Sequence, residues 1–323
     1  MLCAMSEAAS TLPALPPRPE HGHKGTFGTV CVLGGQCAPP RVMIGGPALS
    51  ALGALRSGCG LAVLAMPGPI LPFGLTIAPS ATGLALPVDS HNRLKPSACA
   101  ELIDENFHSY SCIAVGPGLG ADEPQQQVVV RLVAQGDVPL VVDADALNCL
   151  ARLRDFRGDF RAHAVLTPHP GEFSRLGEQL GIARDPTDEG ERREAASEMA
   201  QRLGCVVVLK GRHTVVSDGM KSWVNTAGNV ALATAGTGDV LTGILAGLVA
   251  QFHKPHLGMG SRQITPAQQG GLSLYDCARI GVYLHAKAAE RWAETKGVAG
   301  LLALDLIENL PVVIREYREE RGG

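Results

Sequence analysis

The stretch ATAGTGDVLTGILAGLVAQ, residues 233–251, sets an acid between a run of small residues and an apolar helical pattern. Gly236, Thr237 and Gly238 carry little bulk, so amides here can come close to a ligand. From Val240 the apolar positions 240, 241, 244, 245, 248 and 249 share one helical face, which starts the helix near residues 238–239. Free N–H groups at a helix start favour an anion, phosphate above all. Asp239 then has two readings. It stabilises the helix dipole by up to ~1 kcal/mol, or it takes the proton of a hydroxyl that attacks a phosphoryl group bound there. The dipole is expected to depress its pKa, leaving a weak base, which is tolerable when the proton moves late. The bare residues ahead of Asp239 favour the second reading.

Other stretches could serve the same chemistry. In LTPHPGEF, residues 166–173, Pro168 and Pro170 fix an extended turn around His169, and Gly171-Glu172 opens a helix. His169 is a ligand contact or a surface turn residue; Glu172 is a cap or is metal-related. VVDADALN, residues 141–148, puts Asp143 and Asp145 at the carboxyl end of a strand, the ligand side of an open α/β sheet. They could hold Mg2+ through water or contact a ribose, and Asp145 equally could cap a helix. GPGLG, residues 116–120, follows the strand CIAV and with Ala121 reads G-x-G-x-x-A, a dinucleotide fingerprint. Pro117, Asp122 and Glu123 fit that fingerprint poorly. In LKGRHT, residues 209–214, Lys210 and Thr214 could touch a phosphate where Gly211 permits close approach, or Lys210 is simply solvated. Neither a Walker phosphate loop nor a G-x-S-x-G nucleophile elbow occurs.

The elements that must position these residues are legible as short β-branched runs: TVCVLG, LAVLA, CIAVG, LVVDAD, AVLTPHP and VVVLKG. Continuous apolar runs ended by Gly, Pro or Asp suit strands buried on both faces. Helical patterns lie between them at residues 47–57, 125–134 and 190–203. The alternation predicts a mostly parallel central sheet with helices on both faces. HTVVSDG followed by KSWVN predicts a hairpin, hence an antiparallel element near the sheet edge. Residues 67–96, rich in Pro, Gly and Ser, read as a long connection, and residues 253–271 as a flap or insertion.

Composition narrows the class. Aromatics are 4%, with 39 Gly and 22 Pro, which suits a layered α/β core of small aliphatic side chains. A formal charge of −3 gives no basic footprint, so no nucleic-acid partner is expected. The 9 cysteines are scattered and read as free, buried thiols of a reducing cytoplasm. No stretch has the uninterrupted apolar length to span a membrane. Residues 1–20 read as a flexible leader without signal-peptide character, and residues 21–318 as one catalytic domain.

The order KGTFG, VLGG, GGPALSALGALRSGCG, GPGLG, DADALN, TPHPGEF, LKG, GTGDVLTG and GVYLHAKAAE resembles the ADP/ATP-dependent NAD(P)H-hydrate dehydratases of the ribokinase-like superfamily. The match runs from Lys24 to Pro311 and resembles the single-domain form; no stretch matches the epimerase domain fused to some relatives. The resemblance implies a three-layer α/β/α sandwich. It implies repair of hydrated NADH or NADPH, with ADP or ATP as co-substrate and Mg2+ as cofactor. The C6 hydroxyl of the nicotinamide is phosphorylated, phosphate leaves, and the ring double bond returns. Asp239 matches the family's base. Gly46, Gly118, His169 and Asp239 match substrate positions, and Lys210, Gly211, Arg212, His213, Thr214 and Gly238 match nucleotide positions. The resemblance assigns no metal ligands. It also implies a cytoplasmic homo-oligomer, and ADP converted to AMP. Gly45-Gly46 stands where Gly-Ala is common, AGTGD where GGSGD is common, and Gly228-Asn229-Val230 where GNP is usual.

Three other functions stay open on the residues. A ribokinase-like kinase for a small hydroxylated vitamin precursor would share the GTGD chemistry and release a stable phosphorylated product. A regulatory nucleotide-binding module would turn nothing over. An NAD-dependent oxidoreductase would leave the GTGD helix unexplained.

Overall fold

The computed structural model describes residues 12–253 and 271–322. Its centre is a nine-stranded sheet in the order β3-β2-β1-β4-β5-β6-β7-β8-β9. The strands are β1 (Thr29–Leu33), β2 (Leu61–Pro67), β3 (Thr82–Leu86), β4 (Cys112–Val115), β5 (Leu140–Val142), β6 (Ala164–Leu166), β7 (Val206–Leu209), β8 (Val215–Ser217) and β9 (Ser222–Val224). Pairing is parallel from β3 through β7, and β8 is antiparallel to both of its neighbours. The expected hairpin is therefore present at the sheet edge, its turn closed by Asp218 Oδ1 accepting from Met220 and Lys221 N–H.

The apolar runs alternate between two cores. Val30, Val32, Cys112, Ala114, Val141, Val165 and Val208 face one; Cys31, Leu33, Ile113, Val115, Val142, Leu166 and Leu209 face the other. On the first face pack α1 (Gly45–Arg56), α2 (Leu71–Ile77), α8 (Thr237–Phe252), α9 (Leu274–Lys296) and α10 (Ala303–Arg321). On the second pack α3 (Pro96–Asn106), α4 (Glu123–Val133), α5 (Asp145–Ala151), α6 (Pro170–Leu180) and α7 (Arg192–Leu203). Both faces are covered, so the runs read as continuously apolar, and the three-layer α/β/α architecture stands.

Residues 67–96 differ from the expected long connection, because they contain α2 and β3. Pro72 and Gly74 break the helical pattern of LPFGLTI, and β3 is an edge strand whose residues are mostly outside the core. Of the stretch read as a leader, residues 1–11 lie outside the described residues. The remainder is packed: Leu12 and Leu15 are buried in the first core, and Tyr317 Oη donates to Pro13 O at 2.5 Å. Arg318 and Arg321 of α10 donate to the carbonyls of Pro16 and Leu12. The segment 253–271 lies outside the described residues except at its ends, where Leu272 N donates to Phe252 O. Eight described cysteines are free and buried.

The site depends on how α1 and α8 meet. Their glycines bring backbone onto backbone: a Cβ on Gly243 would fall 2.1 Å from Ser50 O, and one on Gly53 2.8 Å from Val240 O. Side chains of ordinary size would force the helices apart. Their absence brings two helix N-termini together above the carboxyl ends of the strands. The chain order there reverses between β1 and β4, where open α/β sheets form their ligand crevice.

Candidate active site

The turns after β5, β6 and β7 converge on one buried ion pair. Lys210 Nζ lies 2.7 Å from Asp143 Oδ1 and 3.8 Å from Glu172 Oε2. Asp143 also accepts from Thr167 Oγ1 at 2.7 Å and from Thr242 Oγ1 at 2.6 Å. Burial alone would raise the Asp143 pKa, but the Lys210 ammonium and these hydroxyls hold it below the usual carboxylate range. Burial works against the Lys210 charge, yet the Asp143 and Glu172 carboxylates raise its pKa. Lys210 is thus no solvated surface lysine. Its backbone N–H donates to Pro168 O, which ties the LKG turn to the TPHP turn.

Asp239 stands in the first turn of α8, half-buried and with no hydrogen bond to its carboxylate among the described residues. A Cβ on Gly46 would sit 3.1 Å from its Oδ1, and one on Gly238 3.8 Å from Lys210 Nζ. Gly46, Gly238, Asp239 and Lys210 therefore lie together at the start of α8. The N-caps of α1 and α8, Ile44 and Gly236, make no side-chain cap hydrogen bond, so side chains leave the first-turn amides unclaimed. The expected dipole-depressed pKa is corrected here. Burial and the nearby Asp143 carboxylate push Asp239 up to about 7, with Lys210 opposing. Desolvation and like charge outweigh the dipole, and the result is a base poised near neutral pH.

His169 caps α6. Its Nδ1 accepts from the Gly171 and Glu172 N–H groups, and Glu172 Oε2 accepts from His169 N at 2.9 Å. The capping reading of Glu172 holds, as one half of a capping box. With Nδ1 accepting, Nε2 carries the ring hydrogen, and the ring stays exposed. Burial first, then the Lys210 and Arg175 charges, lower its pKa. Gly118 packs beside α1, where a Cβ would meet Met43 Cβ at 2.9 Å and Pro47 Cδ at 3.7 Å. Asp145 makes no cap bond at α5; its Oδ2 accepts from Gly120 N at 2.8 Å and holds the GPGLG turn. Ala144, between the two acids, is forced to φ 50° and ψ −119°, a strain of ~1–3 kcal/mol for an L residue.

The turn after Lys210 points outward. Gly211, Arg212 and His213 are exposed, and His213 Nδ1 lies 3.7 Å from Glu189. Thr214 Oγ1 donates to Gly211 O at 3.0 Å. Arg192 of α7, buried, donates to Leu209 O and Lys210 O and so braces the turn from behind. Sequence reasoning missed Arg192, Thr167, Thr242, Ser50 and His285. The available signal was polar residues inside otherwise apolar runs, as Thr242 is in α8.

Among the described residues no group of three or more His, Cys, Asp or Glu side chains is arranged to hold a metal. The donors on Asp143 occupy it, so it is not a direct ligand. Mg2+ that keeps several waters and is held largely by substrate phosphates needs only one or two carboxylates. Asp143 is committed to Lys210 and Glu172 to the α6 cap, so such an ion would be held largely by the phosphates and water.

A family model described as NAD(P)H-hydrate dehydratase matches residues 30–312. A bifunctional NAD(P)H-hydrate repair enzyme of Moorella thermoacetica is 36% identical over 309 residues, covering 95% of this chain and 53% of that protein. The chain thus spans about half the length of the bifunctional relatives it matches. An ADP-dependent (S)-NAD(P)H-hydrate dehydratase of Bacillus subtilis is 34% identical over 307 residues, covering 94% of this chain and 95% of that protein. The crystal structure of an ADP/ATP-dependent NAD(P)H-hydrate dehydratase from Bacillus subtilis, co-crystallised with ATP/Mg2+, superposes with a TM-score of 0.74. It is 30% identical, with 97% of each chain covered.

Proposed function

This chain belongs to the NAD(P)H-hydrate dehydratase family, and from that premise we propose that it repairs hydrated NADH or NADPH with ADP or ATP as phosphoryl donor. One observation carries the reading: an unbonded, half-buried carboxylate, Asp239, at an uncapped helix start facing Gly46 and within the field of Lys210. Asp239 takes the proton of the C6 hydroxyl as its oxygen attacks the terminal phosphoryl group. The Gly238 amide and its neighbours in α8 hold the transferring group, and the Lys210 ammonium offsets its charge. The C6–O bond then breaks, inorganic phosphate leaves with its electron pair, and loss of a proton from the adjacent carbon restores the ring double bond. Gly46, Gly118 and His169 border the hydrated nicotinamide nucleotide, and residues 210–214 the adenine nucleotide.

ADP is the preferred donor in this proposal, converted to AMP, in keeping with the name of the Bacillus subtilis relative. Mg2+ bound with the nucleotide would neutralise phosphate charge, held largely by the phosphates themselves and by water. The proposal includes a homo-oligomer working in the cytoplasm, the latter resting on the free thiols. Among the described residues no helix is long and apolar enough to cross a membrane.

The test is to add hydrated NADH or NADPH with ADP or ATP and follow the absorbance of the reduced nicotinamide. Its return, with one phosphate released per turnover, is expected. No return with either nucleotide would sink the reading, and a phosphorylated product that accumulates would favour the kinase alternative.

A further inference from the structure

The carbonyl of Thr237 and the N–H of Gly238 are two ends of one peptide group. That carbonyl lies 2.9 Å from Nε2 of His285 on α9. A carbonyl only accepts, so Nε2 carries the hydrogen. The ring is buried, 8% exposed, and burial lowers its pKa to about 4, with the Thr237 carbonyl opposing and Lys210 assisting. It therefore stays neutral and keeps this tautomer at neutral pH. The Thr237 hydroxyl shares its one hydrogen between Leu232 O at 2.9 Å and Thr234 O at 2.8 Å. Further along, Ser50 Oγ donates to Asp239 O at 2.8 Å. Carbonyls in the first turn of α8 are thus gripped by side chains from both flanking helices.

We propose that His285 is a positioning residue for phosphoryl transfer: it fixes and polarises the Thr237–Gly238 peptide so that the Gly238 N–H is a stronger, pre-aimed donor to the group in flight. Pulling on the carbonyl leaves the N–H of the same peptide more positive, because hydrogen bonds in series reinforce one another. Donors set before the charge develops need no reorganisation when it does. A histidine that merely filled the space between α8 and α9 would be replaceable by an apolar side chain at a cost in stability alone. The inference rests on the reading that the start of α8 holds the transferring phosphoryl group.

The experiment compares His285→Leu, His285→Gln and the unaltered protein in the absorbance-return assay, with rates per folded molecule from circular dichroism melts. Removing one oxyanion donor costs about 10²–10³ in kcat, so weakening one predicts a loss of about 10–100-fold in His285→Leu. KM for the hydrated cofactor should be unchanged. His285→Gln, whose side-chain amide can still donate to Thr237 O, should recover most of the rate. Folded His285→Leu within about twofold of the unaltered kcat, or equal losses in both variants, would overturn the proposal. Should His285→Leu not fold, His285→Asn decides: its amide is too short to reach Thr237 and must show the same kcat loss. Unaltered protein that restores no hydrated cofactor sinks the functional reading, and this inference falls with it. An active protein indifferent to His285→Leu sinks the inference alone.

Discussion

Replacing Asp239 by Asn should cost activity and add stability, with a pH dependence that identifies the cause. The carboxyl is displaced from its ordinary 3.8 up to about 7 by burial and by Asp143. That span of about three decades corresponds to ~4 kcal/mol at ~1.4 kcal/mol each. Asp239 is only half-buried, and solvent screening reduces the figure to ~1–2 kcal/mol. The sign follows from proton linkage. A carboxyl whose pKa is raised on folding binds more protons in the native state, so its contribution is fully favourable below 3.8 and is lost as pH rises through about 7. An amide has no such loss. Thermal and urea melts of both proteins at half-unit steps from pH 4.5 to 8.5 should show the Asn variant gaining between about pH 4 and 7, then a plateau. The plateau corresponds to a melting temperature roughly 2–3 °C higher for a chain of this size. A difference flat across that range, or a less stable variant, would mean that Asp239 is an ordinary solvated acid.

The same displacement predicts kcat/KM falling as pH drops below about 7, because the protonated carboxyl cannot accept a proton; an acid limb near 4 would contradict it. Lys210→Met should lose nucleotide binding by calorimetry and about 3 kcal/mol of stability at pH 7, since Asp143 is left buried and unpaired. That deficit should shrink toward acid pH, where Asp143 protonates. Gly243→Ala should cost about 1–3 kcal/mol in urea melts, because its methyl meets the Ser50 carbonyl oxygen. It should slow repair as well, because α1 and α8 together set Gly46 against Asp239.

Much of this was legible before any coordinates. The runs around Val30, Ile113, Val141 and Val207 are apolar at every position because both sheet faces are covered, and such runs read plainly. The Thr82–Leu86 strand did not, because it lies at the edge and its residues remain mostly outside the core. Residues 12–18 read as a leader since nothing local shows that Tyr317, Arg318 and Arg321 of α10 hold them. Asp239 was legible as a candidate base from Gly236-Thr237-Gly238 alone. Its basicity was not, since that is set first by burial and then by Asp143, itself fixed by Thr242 at a separation of 99 residues. A helix dipole is a local property and can be read from one segment; desolvation and like charge come from the assembled crevice.

The central claim is that Asp239 is the base of a nucleotide-driven repair reaction. Its most direct test runs the unaltered protein and Asp239→Asn in parallel on hydrated NADH with ADP, then with ATP, recording nicotinamide absorbance and released phosphate. The account predicts matched recovery of both signals with the unaltered protein, and a rate lower by orders of magnitude in a variant that still folds and binds nucleotide. Equal rates in the two proteins would contradict it.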